Sequence, residues 1–210
     1  MSHPALIFDI DGTLWDSREI VARGWNHHLA EIGREDLFVN KESLKSLFGK
    51  TMTEIADIAF ASIPVPERYE VLQVCMEEEH RFLEEDPCSI GFPGITETLT
   101  ELSARGYDLY IVSNAQCGSP ELMMDKLDIR RFFKGWMCFG DTGEAKGVTI
   151  RALMERHGVE TAHYIGDTQG DLEASRMAGL PFVFCRYGFG NPAEFESVID
   201  AFPQLLELYP

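Results

Sequence analysis

Apolar residues cluster along this chain in short runs: Ala5-Leu6-Ile7-Phe8, Leu109-Tyr110-Ile111-Val112, Trp136-Met137-Cys138-Phe139, His163-Tyr164-Ile165 and Phe182-Val183-Phe184. Helix-like segments separate the later runs, over roughly 95–105, 120–127, 146–157 and 172–177. Short apolar runs alternating with helices predict an α/β fold, a Rossmann-like parallel sheet with helices on both faces. The gap between the first two runs is too long for one crossover helix. In it Val21, Trp25, His28, Leu29 and Ile32 fall on one helical face, and Tyr69, Leu72, Met76 and Leu83 on another. Pro64, Pro66, Gly33 and Gly49 mark breaks. The segment reads as an inserted α-helical cap over 16–87, with 1–15 and 88–210 forming the α/β core. The chain would cross between the two at 12–17 and 86–94, a plausible hinge.

Polar residues then fall in a telling place. Ligands of open parallel sheets bind beyond the carboxyl ends of the strands. The first run ends in Asp9-Ile10-Asp11-Gly12-Thr13, the second in Ser113-Asn114, the fourth in Gly166-Asp167-Thr168-Gln169-Gly170-Asp171. Lys146, near the start of a helix, can face the same edge. Asp9, Asp167 and Asp171 would crowd negative charge at one point, and a hard divalent cation such as Mg²⁺, which takes oxygen ligands, resolves this. Ser113 and Lys146 offer a hydroxyl and a positive charge suited to a phosphoryl group. Asp9 can act as a nucleophile and Asp11 as an acid and base. The chain is expected to curl after Ile10, which Gly12 permits.

The remaining composition narrows the partners. The chain has 210 residues, 18 of them basic and 35 acidic, for a net charge of −17. That balance disfavours nucleic acid and anionic lipid, whose phosphates need clustered Lys and Arg. A phosphate substrate would need a cation and a few placed basic groups to invert the field locally. Five scattered cysteines show no CxxC or Cys/His spacing for zinc, and are expected to be reduced buried thiols. No apolar run approaches membrane-spanning length, and a cytoplasmic location is the default expectation.

Together these residues resemble the haloacid dehalogenase superfamily. Its four motifs appear in order as Asp9-Ile10-Asp11-Gly12-Thr13-Leu14, Ser113-Asn114, Lys146, and Gly166-Asp167 with Asp171. The helical insert resembles the first cap class, that of phosphoglycolate phosphatases and β-phosphoglucomutases. The resemblance implies that Asp9 is nucleophile and metal ligand, and that Asp11 is acid and base with its main-chain carbonyl on the metal. It implies that Ser113 and Asn114 bind the phosphoryl group and that Lys146 pairs with Asp9 and phosphate. Asp167 would hold Mg²⁺ directly, Asp171 directly or through water, and Thr13 would buttress the loop. Gly147 departs from the Pro that often follows the motif lysine.

Asp11 separates the phosphatase branch from dehalogenases, which lack that acid, and from phosphonatases, which usually carry Ala there. Val21 stands where the mutases usually have His. The expected activity is therefore Mg²⁺-dependent hydrolysis of a small phosphorylated metabolite through an aspartyl phosphate. A pyrophosphatase, a β-phosphoglucomutase-like phosphotransferase and a catalytically silent regulatory protein of the same fold remain alternatives. Lys50, in the loop Phe48-Gly49-Lys50-Thr51 between two cap helices, is a candidate for a second anionic group of the substrate. Arg18 and Arg23 are weaker candidates. Trp15, Trp25, His27 and His28 read as packing or surface residues, and Glu77-Glu78-Glu79 as a solvated helix face.

Overall fold

The computed structural model describes residues 3–210. The chain forms two compact units: residues up to Asp16 together with Ser89–Pro210, and Ser17–Cys88. Along the chain, β1 (Ala5–Phe8) leads to four helices, α1 (Arg18–Glu31), α2 (Lys41–Lys45), α3 (Met52–Ala59) and α4 (Glu67–Glu85). Then come α5 (Ile95–Ala104), β2 (Leu109–Ser113), α6 (Ser119–Lys126), β3 (Phe133–Cys138), α7 (Phe139–Thr142), α8 (Lys146–His157) and β4 (Ala162–Gly166). The chain finishes with α9 (Gln169–Ala178), β5 (Phe182–Cys185), β6 (Ser197–Ile199) and α10 (Leu205–Leu208). None of these helices is long and apolar enough to cross a membrane.

In the larger unit six strands form one sheet in the order β3-β2-β1-β4-β5-β6, and every pairing is parallel. The inner strands β1 and β2 are buried along their whole length, which is why they read as near-continuous apolar runs. Ala5 and Ile7 point into a cluster with Tyr110, Val112, Tyr164, Phe182 and Phe184, closed by Ile150 and Leu153 of α8 and Leu172 and Ala174 of α9. Phe8, one step out of phase, lies against Phe133 and Phe202 on the other face. Gly147 has a packing reason. A Cβ there would sit 2.7 Å from the Met177 Cβ and 2.9 Å from the Ala174 carbonyl, so a bare backbone lets α8 lie close on α9.

Two boundaries and one further strand differ from the sequence reading. The third strand ends at Cys138, and Phe139 opens α7, because the Asp141 carboxylate accepts the Cys138 amide hydrogen at 2.8 Å and starts a helix. Helix α9 begins at Gln169 rather than Leu172. Thr168 is its N-cap, and Asp171 is the reciprocal third-position partner. The sixth strand was not anticipated: Ser197-Val198-Ile199 is too short and too polar at its start to stand out.

The smaller unit is built on α1 and α4. Val21, Trp25 and Leu29 of the expected α1 face are buried, while Ile32, past the end of the helix, is exposed. Gly24 allows the close approach, since a Cβ there would lie 3.0 Å from the Glu78 carbonyl and the Glu79 backbone. The three glutamates are not a uniformly solvated face. Glu79 accepts from the Trp25 indole at 2.9 Å, and Glu78 pairs with His27 at 2.8 Å and with Arg81. Arg23 is engaged by Asp86, and Arg18 is buried with a bond to the Lys41 carbonyl. Lys50 lies just before Thr51, which caps α3 through a reciprocal pair with Glu54.

Phe182→Ala removes a fully buried ring from the sheet cluster. It should cost about 3–5 kcal/mol, read as a lower denaturant midpoint at unchanged slope.

Candidate active site

Strand order alone selects one end of the sheet. The chain steps from β1 to β2 and β3 on one side and returns to β4, β5 and β6 on the other. The switch point lies between β1 and β4. Phe8 is in register with Ile111 of β2 and Ile165 of β4. The Asp9 amide continues the ladder to the Ile165 carbonyl at 2.8 Å. Asp9, Ser113 and Asp167 thus follow at the same carboxyl edge.

After Asp9 the chain curls. The amides of Thr13, Leu14 and Trp15 all turn back to the Ile10 carbonyl, and the Gly12 amide bonds the Trp15 carbonyl at 2.9 Å. Gly12 adopts a φ of +83°, and a Cβ there would stand 2.3 Å from an oxygen of Asp167. No other residue fits without displacing that carboxylate. The curl carries Asp11 out of strand alternation, and its Oδ1 accepts from the Trp15 indole at 2.7 Å. Trp15 is therefore more than packing. Thr13 is fully buried, and its carbonyl accepts from the Tyr187 hydroxyl at 2.8 Å.

Lys146, the first residue of α8, reaches into this edge. Its buried ammonium donates to Asp9 Oδ1 and to Asp171 Oδ1, both at 2.7 Å. It sits 5.9 Å from the ring centre of Tyr164, whose hydroxyl donates to the Val112 carbonyl. The second oxygen of Asp171 accepts from the Thr168 amide at 2.9 Å and the Thr168 hydroxyl at 2.6 Å, with the Asp167 amide at 3.2 Å. Both Asp171 oxygens are thus engaged by the protein. Asp167 differs. Its Oδ2 accepts from the Phe189 amide at 2.6 Å and the Gly190 amide at 3.3 Å, while its buried Oδ1 has no hydrogen-bond partner among the described residues. Ser113 is buried, and its hydroxyl oxygen accepts from the Ala115 amide at 3.2 Å. Asn114 follows it at the end of β2. The structure thus brings Asp9, Asp11, Thr13, Ser113, Asn114, Lys146, Asp167 and Asp171 to one edge of the larger unit, while Lys50 belongs to the smaller one.

Charge is unbalanced here. Asp9, Asp167 and Asp171 have ligand oxygens within 4.8 Å of one another, with one buried lysine among them. Burial, and then Asp171, push Asp9 up to about 7 against the pull of Lys146. Burial, then Asp171 and Asp9, hold Asp167 well above the carboxylate range. Burial would raise Asp171 too, but Lys146 and Thr168 outweigh it and keep it below its ordinary value. For Lys146, burial opposes the charged form, yet Asp171 and Asp9 together hold the ammonium well above its usual range. Three carboxylates against one ammonium leave a deficit of two positive charges. The unpartnered Asp167 Oδ1 offers the ligand atom, so a hard divalent cation fits this donor set.

Several participants went unread in the sequence. Tyr164 looked like an ordinary strand residue. Thr168, three residues before Asp171, carries a capping-box spacing that was a usable signal. The Gly188-Phe189-Gly190 loop after β5 supplies the amides to Asp167, and its glycines were the available hint. A Cβ on Gly188 would meet the Asp167 side chain at 2.4 Å.

The raised Asp9 gives a pH prediction for metal-free protein. Asp9 holds its proton more tightly folded than unfolded. Its stabilising contribution is fully present below its unfolded pKa, near pH ~4, and is lost as pH rises through about 7. Asp167 acts in the same direction. Urea midpoints in EDTA should fall from acidic to neutral pH, and less steeply for Asp9→Asn. Equal slopes for the two proteins would contradict this electrostatic picture.

Comparison with known proteins agrees with the geometry. A family model described as haloacid dehalogenase-like hydrolase matches residues 6–185. A phosphoglycolate phosphatase of Pseudomonas syringae pv. tomato is 27% identical over 98% of this chain and 78% of its own length. One from Agrobacterium fabrum is 29% identical over 96% and 90%. Among solved structures, a haloacid dehalogenase-like family hydrolase from Streptococcus pneumoniae superposes with a TM-score of 0.84 at 24% identity, over 99% of this chain and 98% of its own, a likeness of fold. With most of its length matched by that family model, this chain belongs to the haloacid dehalogenase-like hydrolases.

Proposed function

We propose that this enzyme is a Mg²⁺-dependent phosphohydrolase that acts on a small phosphorylated metabolite through an aspartyl phosphate on Asp9. The observation that carries the reading is the buried Lys146 bonded at 2.7 Å to both Asp9 and Asp171, beside an Asp167 oxygen with no hydrogen-bond partner among the described residues. In the first step an Asp9 oxygen attacks phosphorus in line, and the bond from phosphorus to the leaving oxygen breaks. Asp11 donates the proton that this oxygen takes. In the second step water attacks phosphorus, Asp11 takes the water proton, and the bond from phosphorus to Asp9 breaks, releasing phosphate. The Trp15 indole holds Asp11 for both transfers. Lys146 restrains Asp9 and offsets charge on the phosphoryl oxygens, while Ser113 and the Asn114 backbone bind them. Asp9, Asp167 and the Asp11 carbonyl would hold Mg²⁺, which when bound neutralises phosphoryl charge. Asp171 works mainly through Lys146, reaching the metal at most through water.

For the substrate, the curated relatives named phosphoglycolate phosphatase make phosphoglycolate the first compound to try. It carries a carboxylate besides its phosphate. We propose that the helical unit acts as the cap and that Lys50 meets this second anion. A mutase reading is weakened by Val21, which puts no imidazole at that position of α1.

The decisive assay is a panel of phosphate esters with Mg²⁺. Wild type should release phosphate, EDTA should stop it, and Asp9→Asn should retain no measurable turnover. Asp11→Ala should lose about 10²–10⁴-fold in kcat yet still bind Mg²⁺. A folded wild type inert towards every ester would defeat the proposal.

Lys50→Ala should raise KM for phosphoglycolate about tenfold or more, as expected for a lost charged hydrogen bond, and leave p-nitrophenyl phosphate unaffected. An equal change for both substrates would remove Lys50 from the binding site.

A further inference from the structure

We propose that Cys117, Cys138 and Asp141 form a site for a thiophilic divalent cation of the Zn²⁺ type, separate from the carboxylate centre. Sequence spacing hides it, because the three residues come from different elements. Cys117 lies in the loop between β2 and α6, Cys138 ends β3, and Asp141 belongs to α7. Their ligand atoms all lie within 4.8 Å of one another. Cys117 Sγ stands 3.9 Å from Asp141 Oδ1, and Cys138 Sγ 3.3 Å from Asp141 Oδ2. A tetrahedral Zn²⁺ with bonds of about 2.0–2.3 Å holds its ligand atoms roughly 3.3–3.8 Å apart. The two spacings to Asp141 are close to that and the third is within 4.8 Å, so side-chain adjustments would bring the three ligands onto one ion.

A plainer account covers only part of this cluster. Asp141 and Cys138 start α7 as a reciprocal capping pair, which explains their contact. It does not explain Cys117, which is brought in by separate means. The Gly140 amide bonds the Ala115 carbonyl at 3.3 Å and joins the two loops. A Cβ on Gly140 would lie 2.5 Å from the Cys117 amide nitrogen and 2.7 Å from its Sγ, so only a bare backbone admits the thiol. Both cysteines are free. Soft thiolates select Zn²⁺ and its relatives over Mg²⁺, so the two centres sort their ions by ligand type. Each thiol releases its proton to solvent as it binds, and the exposed Cys117 side leaves a fourth position for water. Cys138 is in register with Ser113, so an ion here would tie the end of β3 to the loop that follows Ser113.

The test uses reduced, desalted full-length protein in Mg²⁺ buffer, titrated with Co²⁺. A thiolate-to-cobalt charge-transfer band should appear, saturate at one ion per chain and vanish on adding Zn²⁺. Cys117→Ser and Cys138→Ser should lose the band or weaken binding at least tenfold. Cys88→Ser, an exposed cysteine outside the cluster, should keep it. Asp167→Asn should keep it too, which separates this site from the proposed catalytic metal. Cys117 is exposed, so its variant remains informative if Cys138→Ser fails to fold. No band at saturating Co²⁺, a band that forms in Cys117→Ser with wild-type affinity, or a resting disulfide between Cys117 and Cys138 would each overturn the proposal.

Discussion

The structure of the larger unit turns on one buried ammonium shared by two carboxylates. Lys146 carries its charge from α8 to the sheet edge and bonds Asp9 and Asp171 at equal distance. Burying such charges is costly unless they are paired and further hydrogen-bonded. The surrounding structure meets that cost with the Thr168 amide and hydroxyl on Asp171 and the Val112 carbonyl fixing Tyr164 beneath the lysine. One lysine still cannot balance three acids. The site is therefore left short of positive charge, as expected of a centre able to take up a cation beside an anionic substrate.

That shortage also explains how a protein with a net charge of −17 can handle phosphate. The global field repels anions, but the field that matters is local. It is set by Lys146, by backbone amides at strand ends and, on the proposed reading, by a cation held on the carboxylates. The glycines around Asp167 serve the same end. Gly12 and Gly188 let two separate loops close on one carboxylate, leaving one of its oxygens unclaimed.

Much of this was legible in the sequence because it follows from periodicity and strand ends. Four strands were visible as apolar runs because they are buried almost throughout, whereas only the second half of β3 was, since Lys134 and Gly135 break its run. Asp9, Ser113 and Asp167 were visible because each directly follows such a run. Lys146 was placed by its nearness to a helix start, and the structure puts its ammonium on Asp9. Contacts made by local geometry rather than pattern were not legible. Trp15 reaches Asp11 only because the chain curls back at Ile10. The bonds of both Asp171 oxygens to Lys146 and Thr168 were not legible either. Cys117 and Cys138 are unrelated by spacing and meet only across neighbouring strand ends.

The central claim is that Asp167, not Asp171, supplies the carboxylate oxygen left for a metal. Calorimetric titration of Mg²⁺ into wild type, Asp167→Asn and Asp171→Asn tests it directly. The account predicts one ion bound to wild type, none detectable in Asp167→Asn, and retained binding, weakened about 10–100-fold, in Asp171→Asn. Undiminished Mg²⁺ affinity in Asp167→Asn, or its complete loss in Asp171→Asn alone, would contradict it.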